Sequence, residues 1–399
     1  MKKLMNYAIY SNEKLSIDGL DVFYVGVENI LPNKKGIKPS SFVPKTGKYT
    51  KFEKYDILLG NIGPYLKKIW LADKSGLASP DVLVIKPLES RFGKYIYANL
   101  LNDSFFQYAM LGVKGSILPR CDKNHILNYS IPDVKNKEKI GDFIYFINKK
   151  IELNNKINDN LEKQAKLLYD YWFTQFDFPD ENGNPYKSSG GEMVFSEELK
   201  RYIPKGWSIE TLLNNTISRI IKPGVNKFKE KTYFATADIN NKEISSGNKV
   251  LYQNRESRAN MQPIKSSVWF AKMKNSVKHL FITDNMDFMI NEGILSTGFC
   301  GLECEKISFE YISSFINSPY FEMAKDILSH GATQEAVNNN DLNFINILIP
   351  DRRTLLNFHK ITKAIYEQIT ENICSNRKLT ELRDYLLPLL LNGQVTIED

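Results

Sequence analysis

Residues 140–172 read IGDFIYFINKKIELNNKINDNLEKQAKLLYDYW, and the spacing of the apolar residues in this stretch decides the fold. Steps of four and three from Ile140 reach Ile144, Ile147, Ile151, Asn154, Asn158, Leu161, Ala165, Leu168 and Trp172. That spacing keeps one narrow apolar stripe facing a partner helix, the pattern of a coiled-coil seam. The two interruptions are both Asn. A second copy lies 218 residues further on, at Phe358, Thr362, Ile365, Ile369, Asn372, Asn376, Leu379, Arg383, Leu386 and Leu390. Both Asn recur at the same seam positions. A long amphipathic helix alone is most simply a packing element. Matched polar layers add something, because a polar seam residue costs stability and fixes register. The 33-residue first helix would span roughly 50 Å at 1.5 Å per residue, so the seam would act as a ruler as well as a staple.

Working outward, each helix follows a segment of similar length. A chain of 399 residues with 42% apolar and 25% charged residues has room for two or three cored domains. No apolar run reaches the roughly 20 residues of a membrane span, and Met1–Tyr10 lacks a signal-peptide core, so a cytoplasmic protein is expected. Four Cys make no disulfide framework in a chain this long. Cys300 and Cys304 have no further Cys or His to complete a zinc set, so no metal site is expected. Charge is uneven. Residues 1–135 hold 20 Lys+Arg against 12 Asp+Glu and 200–350 hold 18 against 15, while 136–199 hold 8 against 12. Two basic heads on an acidic stem suit a polyanion binder.

Along the first segment, Asp21–Val27, Asp56–Leu59 and Val82–Ile85 read as strands and Phe92–Leu111 as a helix. In the second, Thr232–Ala237, Val268–Ala271 and Phe288–Ile290 read as strands and Phe309–Leu328 as a helix. Ile131-Pro132-Asp133 and Ile349-Pro350-Asp351 close the two segments at the same offset of 218. The expected class is α+β: two α/β modules separated by two long antiparallel helices in a coiled coil, with a pseudo-twofold internal repeat. The expected boundaries are 1–135 and 208–350 for the modules, 136–178 and 351–393 for the helices, 179–207 for a linker rich in turn residues, and 394–399 for a tail.

Catalytic signatures are missing. No phosphate loop and no Gly-x-Gly-x-x-Gly follows a strand. Ser318-Pro319-Tyr320-Phe321 lacks the amide of a base-methylation motif, and Pro80-Asp81 lacks the second acid of a nuclease. His125, His279, His330 and His359 stand in unrelated contexts. The chain reads as a binding protein and not an enzyme.

The local text then points to a family. Asp170-Tyr171-Trp172-Phe173 leads into Phe176-Asp177-Phe178-Pro179 and Asn182-Gly183-Asn184-Pro185-Tyr186-Lys187-Ser188-Ser189-Gly190-Gly191. Ile203-Pro204-Lys205-Gly206-Trp207 opens the second module, and the chain ends Leu382-Arg383-Asp384-Tyr385-Leu386-Leu387-Pro388-Leu389-Leu390-Leu391-Asn392-Gly393. With the two-module plan, these resemble the specificity (S) subunit of type I restriction–modification systems over essentially the whole chain. One departure is that no Ile-Pro-x-Gly-Trp precedes the first module, which starts almost at Met1, as a shortened N-terminus or a wrong start codon would give.

The resemblance implies two target-recognition domains, each reading one half of a bipartite asymmetric site in double-stranded DNA. It further implies that two methyltransferase (M) subunits dock along the helix pair and that restriction (R) motor-nuclease subunits join for cleavage. AdoMet, ATP and Mg would reside on those partners, with no cofactor in this chain. The alternative is a helical adaptor whose modules bind protein or RNA. Base-reading residues do not carry over. Local chemistry nominates Asn61, Tyr65, Lys67, Lys68, Lys114, Ser116 and Arg120 in the first module. In the second it nominates Arg255, Arg258, Lys272, Lys274, Thr297, Thr333, Gln334 and Asn338. Asn and Gln suit adenine edges and Arg suits guanine.

Overall fold

The computed structural model describes residues 1–17, 21–115, 119–240, 243–245 and 247–397. The chain divides into two compact units, 1–153 with 379–399 and 154–378. The architecture is α+β, and each unit carries one module and one end of the helix pair.

In the first unit, eight short strands build two four-stranded sheets: β1 (Ala8–Tyr10), β2 (Lys14–Ser16), β3 (Tyr24–Val25), β4 (Lys48–Phe52), β5 (Ile57–Gly60), β6 (Ile69–Leu71), β7 (Gly76–Ala78) and β8 (Val82–Pro87). The orders are β1-β8-β5-β6 and β2-β4-β7-β3. Ile57, Leu59, Leu83 and Ile85 face one core while Leu58, Val82 and Val84 face another. This is the period-2 alternation of strands buried on both faces. The expected helix over Phe92–Leu111 is two, α1 (Gly93–Leu100) and α2 (Asp103–Leu111). Asn102 breaks it by capping α2, its side chain accepting from Ser104 N–H at 3.0 Å.

α3 (Lys137–Tyr169) then leaves the module, held close by Gly141. A Cβ there would stand 2.5 Å from the Tyr95 backbone nitrogen, so α3 lies too near α1 for any larger residue. In this unit Ile140 and Ile144 share a core with Leu386, Leu387, Leu390 and Leu391. Arg383, a seam residue of the second repeat, donates to Asn148 at 2.8 Å.

The second unit repeats the plan with β9 (Ser218–Ile220), β10 (Glu230–Phe234), β11 (Asn248–Leu251), β12 (Ala259–Met261), β13 (Ser267–Ala271), β14 (His279–Ile282), β15 (Gly293–Ser296) and β16 (Phe299–Cys304). The orders are β9-β16-β13-β14 and β11-β10-β15-β12. The first sheets of the two modules match strand for strand. In the second sheets only three strands match. β7 and β15 each have one parallel neighbour, β3 or β10, and one antiparallel neighbour, β4 or β12. The fourth strand is added on opposite edges, β2 beside β4 but β11 beside β10.

Two expectations for this module are corrected. Phe288–Ile290 belongs to a helical turn, Asp287–Ile290. Four residues are too few for period to separate strand from helix. The helix over Phe309–Leu328 is again two, α4 (Phe309–Ile316) and α5 (Pro319–Leu328). Ser318 caps α5, accepting from Phe321 N–H at 3.2 Å, and Pro319 takes the first helical position.

α6 (Arg352–Leu391) is the second long helix. Within this unit the seam runs antiparallel. Asn154 donates to Asn376 Oδ1 at 2.8 Å, and Asn372 donates to Asn158 Oδ1 at 2.8 Å. Each Asn therefore meets the repeat counterpart of the other. Asn158 also donates to the Ile369 carbonyl at 3.2 Å. At the far end Trp172 packs on Phe358 with ring centroids 5.5 Å apart. Buried seam residues on α3 are Ile140, Ile144, Ile147, Asn154, Asn158 and Ala165, while Ile151 and Leu161 are half-buried.

After α3 a π-turn over Asp170–Thr174 and a left-handed Phe176 (φ 67°) reverse the chain. Phe178 stacks between Tyr186 and Trp207, with centroids at 4.6 and 5.0 Å. The breaker-rich linker is thus an aromatic clasp followed by a hairpin, Met193–Ser196 with Arg201–Pro204. Trp207 Nε1 donates to Asp351 at 3.1 Å, and Asp351 also accepts from Thr354 N–H and Oγ1. The acid that starts α6 therefore ties it to the opening of its own module. Ribbons Lys2–Lys3 with Ser130–Ile131 and Ser208–Thr211 with Asn346–Ile349 close the two modules in the same way.

No described helix is long and apolar enough to cross a membrane. Among the described residues no group of three His, Cys, Asp or Glu could hold a metal. Cys121, Cys300 and Cys304 are buried free thiols.

Candidate nucleic-acid interface

Each module carries one loop pair, held by the same set of backbone hydrogen bonds. In the first module Gly60 N–H bonds the Lys68 carbonyl, closing the loop between β5 and β6. The segment after α2 then zips onto it: Gly63 N–H to Pro119 and Cys121 N–H to the Asn61 carbonyl. Asn61 N–H bonds the Asp81 carbonyl, and Lys114 and Arg120 exchange both backbone bonds. In the second module Ala271 N–H bonds Lys278, Lys274 N–H bonds Glu335, Val337 N–H bonds Lys272, and Lys272 N–H bonds the Gly298 carbonyl. His330 and Ala336 exchange both bonds, as Lys114 and Arg120 do. Gly115 and Gly331, at φ 90° and 137°, follow the matched positions 114 and 330 in backbone conformations that favour glycine.

Position by position, Asn61 corresponds to Lys272, Asp81 to Gly298, Lys114 to His330 and Arg120 to Ala336. One backbone presents two sets of side chains.

The nominated residues distribute over these loops as follows. Asn61, Lys114 and Arg120 come together in the first module, and Ser116 lies outside the described residues. Tyr65 stands out at 59% exposure on the same loop. Lys67 turns to Asp103 at 2.9 Å. Lys68 gives its ammonium to the Val27 carbonyl at 2.7 Å, and burial pulls its pKa down. These two lysines are committed to the module's own frame.

In the second module Arg258, Thr297, Lys272 and Lys274 converge, since Thr297 N–H bonds the Arg258 carbonyl at 2.8 Å. Lys274 pairs with Glu335 at 2.8 Å. Asn338 Nδ2 meets His330 Nε2 at 2.9 Å, and Thr333 and Gln334 are exposed on the connecting turn. Arg255 stands apart, donating to the Tyr252 carbonyl at 2.8 Å with its guanidinium 4.1 Å from that ring.

Sequence reasoning missed the acids. Arg120 lies 3.1 Å from Asp81, Lys114 pairs with Asp122, and Lys34 and Lys67 both reach Asp103 at 2.9 Å. The Asp122 carboxyl is pulled down to about 2, first by Lys114 and then by the His125 N–H. Asp122 could have been found as the cap of the turn that follows Arg120. Asp81 could not, being 39 residues from its partner.

Comparison with known proteins follows the same line. No protein-family model matches the chain. The type I restriction enzyme MjaIX specificity subunit of Methanocaldococcus jannaschii is 24% identical over 349 residues, covering 79% of this chain and 72% of that one. The HindI specificity subunit of Haemophilus influenzae is 24% identical over 323 residues, covering 67% and 69%. The crystal structure of the type I restriction–modification S subunit from M. genitalium superposes with a TM-score of 0.52 at 14% identity, covering 97% of this chain and 94% of that one. This chain has the S-subunit fold. The likeness carried by the central motif and by the opening of the second module is therefore borne out along most of the chain. Within this fold, the paired loops carry unlike side chains on an equivalent backbone, Asn61 against Lys272 and Asp81 against Gly298.

Proposed function

We propose that this chain is the DNA-specificity subunit of a type I restriction–modification complex, its two modules each reading half of a bipartite, asymmetric duplex site. The observation that carries the reading is the loop pair built twice on one backbone with unlike side chains. A repeated scaffold with divergent loops suits two different half-sites better than one repeated ligand. Names of the relatives support the same assignment.

In this reading Lys and Arg position the modules on phosphates and loop side chains read base edges. The antiparallel seam fixes how the two readers are spaced. Two methyltransferase subunits dock on this scaffold, and restriction motor subunits join them. AdoMet, ATP and Mg act on those partners, and this chain contributes recognition without chemistry of its own.

Gel shifts with random duplexes, with and without co-expressed methyltransferase, test the proposal. A duplex preference with a two-part consensus is expected. An assembled complex that binds protein or single-stranded RNA but shows no duplex preference would favour an adaptor instead. Methylome sequencing of a host carrying the gene would then give the bipartite motif directly.

A further inference from the structure

The equivalence of the two loop pairs allows their uncommitted polar groups to be compared at matched positions. In the first module the cations of the loop pair are spoken for: Arg120 by Asp81 and Lys114 by Asp122. What remains at the matched positions is the amide of Asn61. Asn61 is only 8% exposed, and its Oδ1 accepts no hydrogen bond. A buried polar atom left this way is unusual, and a ligand that donates to it would relieve the cost.

The second module reverses this. Lys272 occupies the position of Asn61, and Gly298 that of Asp81. Among the described residues neither Lys272 nor the exposed Arg258 has an acidic partner. A Cβ on Gly298 would stand 3.9 Å from Arg258 Nη2, so the guanidinium lies over a residue that carries no side chain. A carboxylate at this position, as at 81, would occupy it. Lys272 and Arg258 offer donors only.

Resting on the DNA reading above, we propose that the two modules read base edges of opposite polarity. Arg258 and Lys272 take an edge that accepts, guanine O6 and N7. Asn61 takes an edge that donates, the exocyclic amine of adenine or cytosine. Guanine alone offers two adjacent acceptors in the major groove, which a fork of N–H groups matches, whereas an amide oxygen needs an amine.

The test is selection from a random duplex library by the full chain co-purified with co-expressed methyltransferase subunits, sequencing the bound fraction at low and moderate salt. Arg258→Ala should cut the preference at one guanine position by roughly tenfold or more, leaving the other half-site unchanged. Arg258→Lys should weaken that preference while keeping the salt dependence, because the charge stays and the planar fork goes. Asn61→Ala should relax an adenine or cytosine in the other half-site with no change in salt dependence. Thermal melting of each variant checks that the module still folds, and Lys272→Asn provides a second probe of the donor site.

Two results would overturn the inference. One is Arg258→Ala weakening all sequences alike with the salt slope reduced by about one, the mark of a phosphate contact. The other is Asn61→Ala and Arg258→Ala altering letters in the same half-site. A wild-type complex that enriches no duplex would remove the DNA reading, and this inference with it.

Discussion

Asp351 concentrates several forces in one side chain. Burial pushes its carboxyl up, but hydrogen bonds from Thr354 and Trp207 outweigh that and leave it below the usual range. A folded-state value below the unfolded one stabilises the protein above the unfolded pKa near 3.9 and loses that contribution as pH falls through the folded value. Asp351→Asn should therefore melt earlier at neutral pH, with a shallower fall in melting temperature across the acid limb. Trp207 gives a graded companion. Trp207→Phe keeps the stack on Phe178 but removes the donor to the charged Asp351, costing about 1.5–3 kcal/mol. Trp207→Ala also empties the clasp and should cost about 3–5 kcal/mol in denaturant titrations.

The long helices show what an element owes to its pattern, and which features the sequence made legible. A seam repeated over 33 residues outweighs local propensity, and the Asn layers sit where the spacing put them. Shorter elements escaped. Asn102 and Ser318 each end a helix inside an unbroken apolar rhythm, because capping competes with periodicity within a single turn. The acids of the first module escaped for another reason. Segment charge counts suggest a strongly basic head, yet Asp81 and Asp122 neutralise the very cations nominated. Contacts between residues distant in sequence leave no mark on composition. The Asn layers themselves are testable: Asn158→Ala strands Asn372 and should cost about 1–3 kcal/mol. Replacing both with Leu should recover or exceed wild-type stability in the same titration, since a satisfied polar layer trades stability for alignment.

For the whole molecule, the repeat gives one chain two unlike modules, and in the function proposed above each is a DNA reader. If the seam sets their separation, adding one heptad to both helices lengthens it by roughly 10 Å, about three base pairs at ~3.4 Å each. The unspecified gap in the methylated motif should grow by about that much while the half-site letters stay fixed. Changed letters would mean that the stem shapes the readers themselves.

The thiols described above give a way to follow the two modules in solution. Burial pushes Cys121 up to about 11 and Cys300 up to about 12, and Cys304 rises likewise, so none offers a thiolate to an alkylating reagent at neutral pH. With Cys374→Ser the chain becomes chemically quiet. Tyr65→Cys and Thr333→Cys would then accept a pair of spin labels, one beside each loop pair, and their separation could be followed as duplex is added.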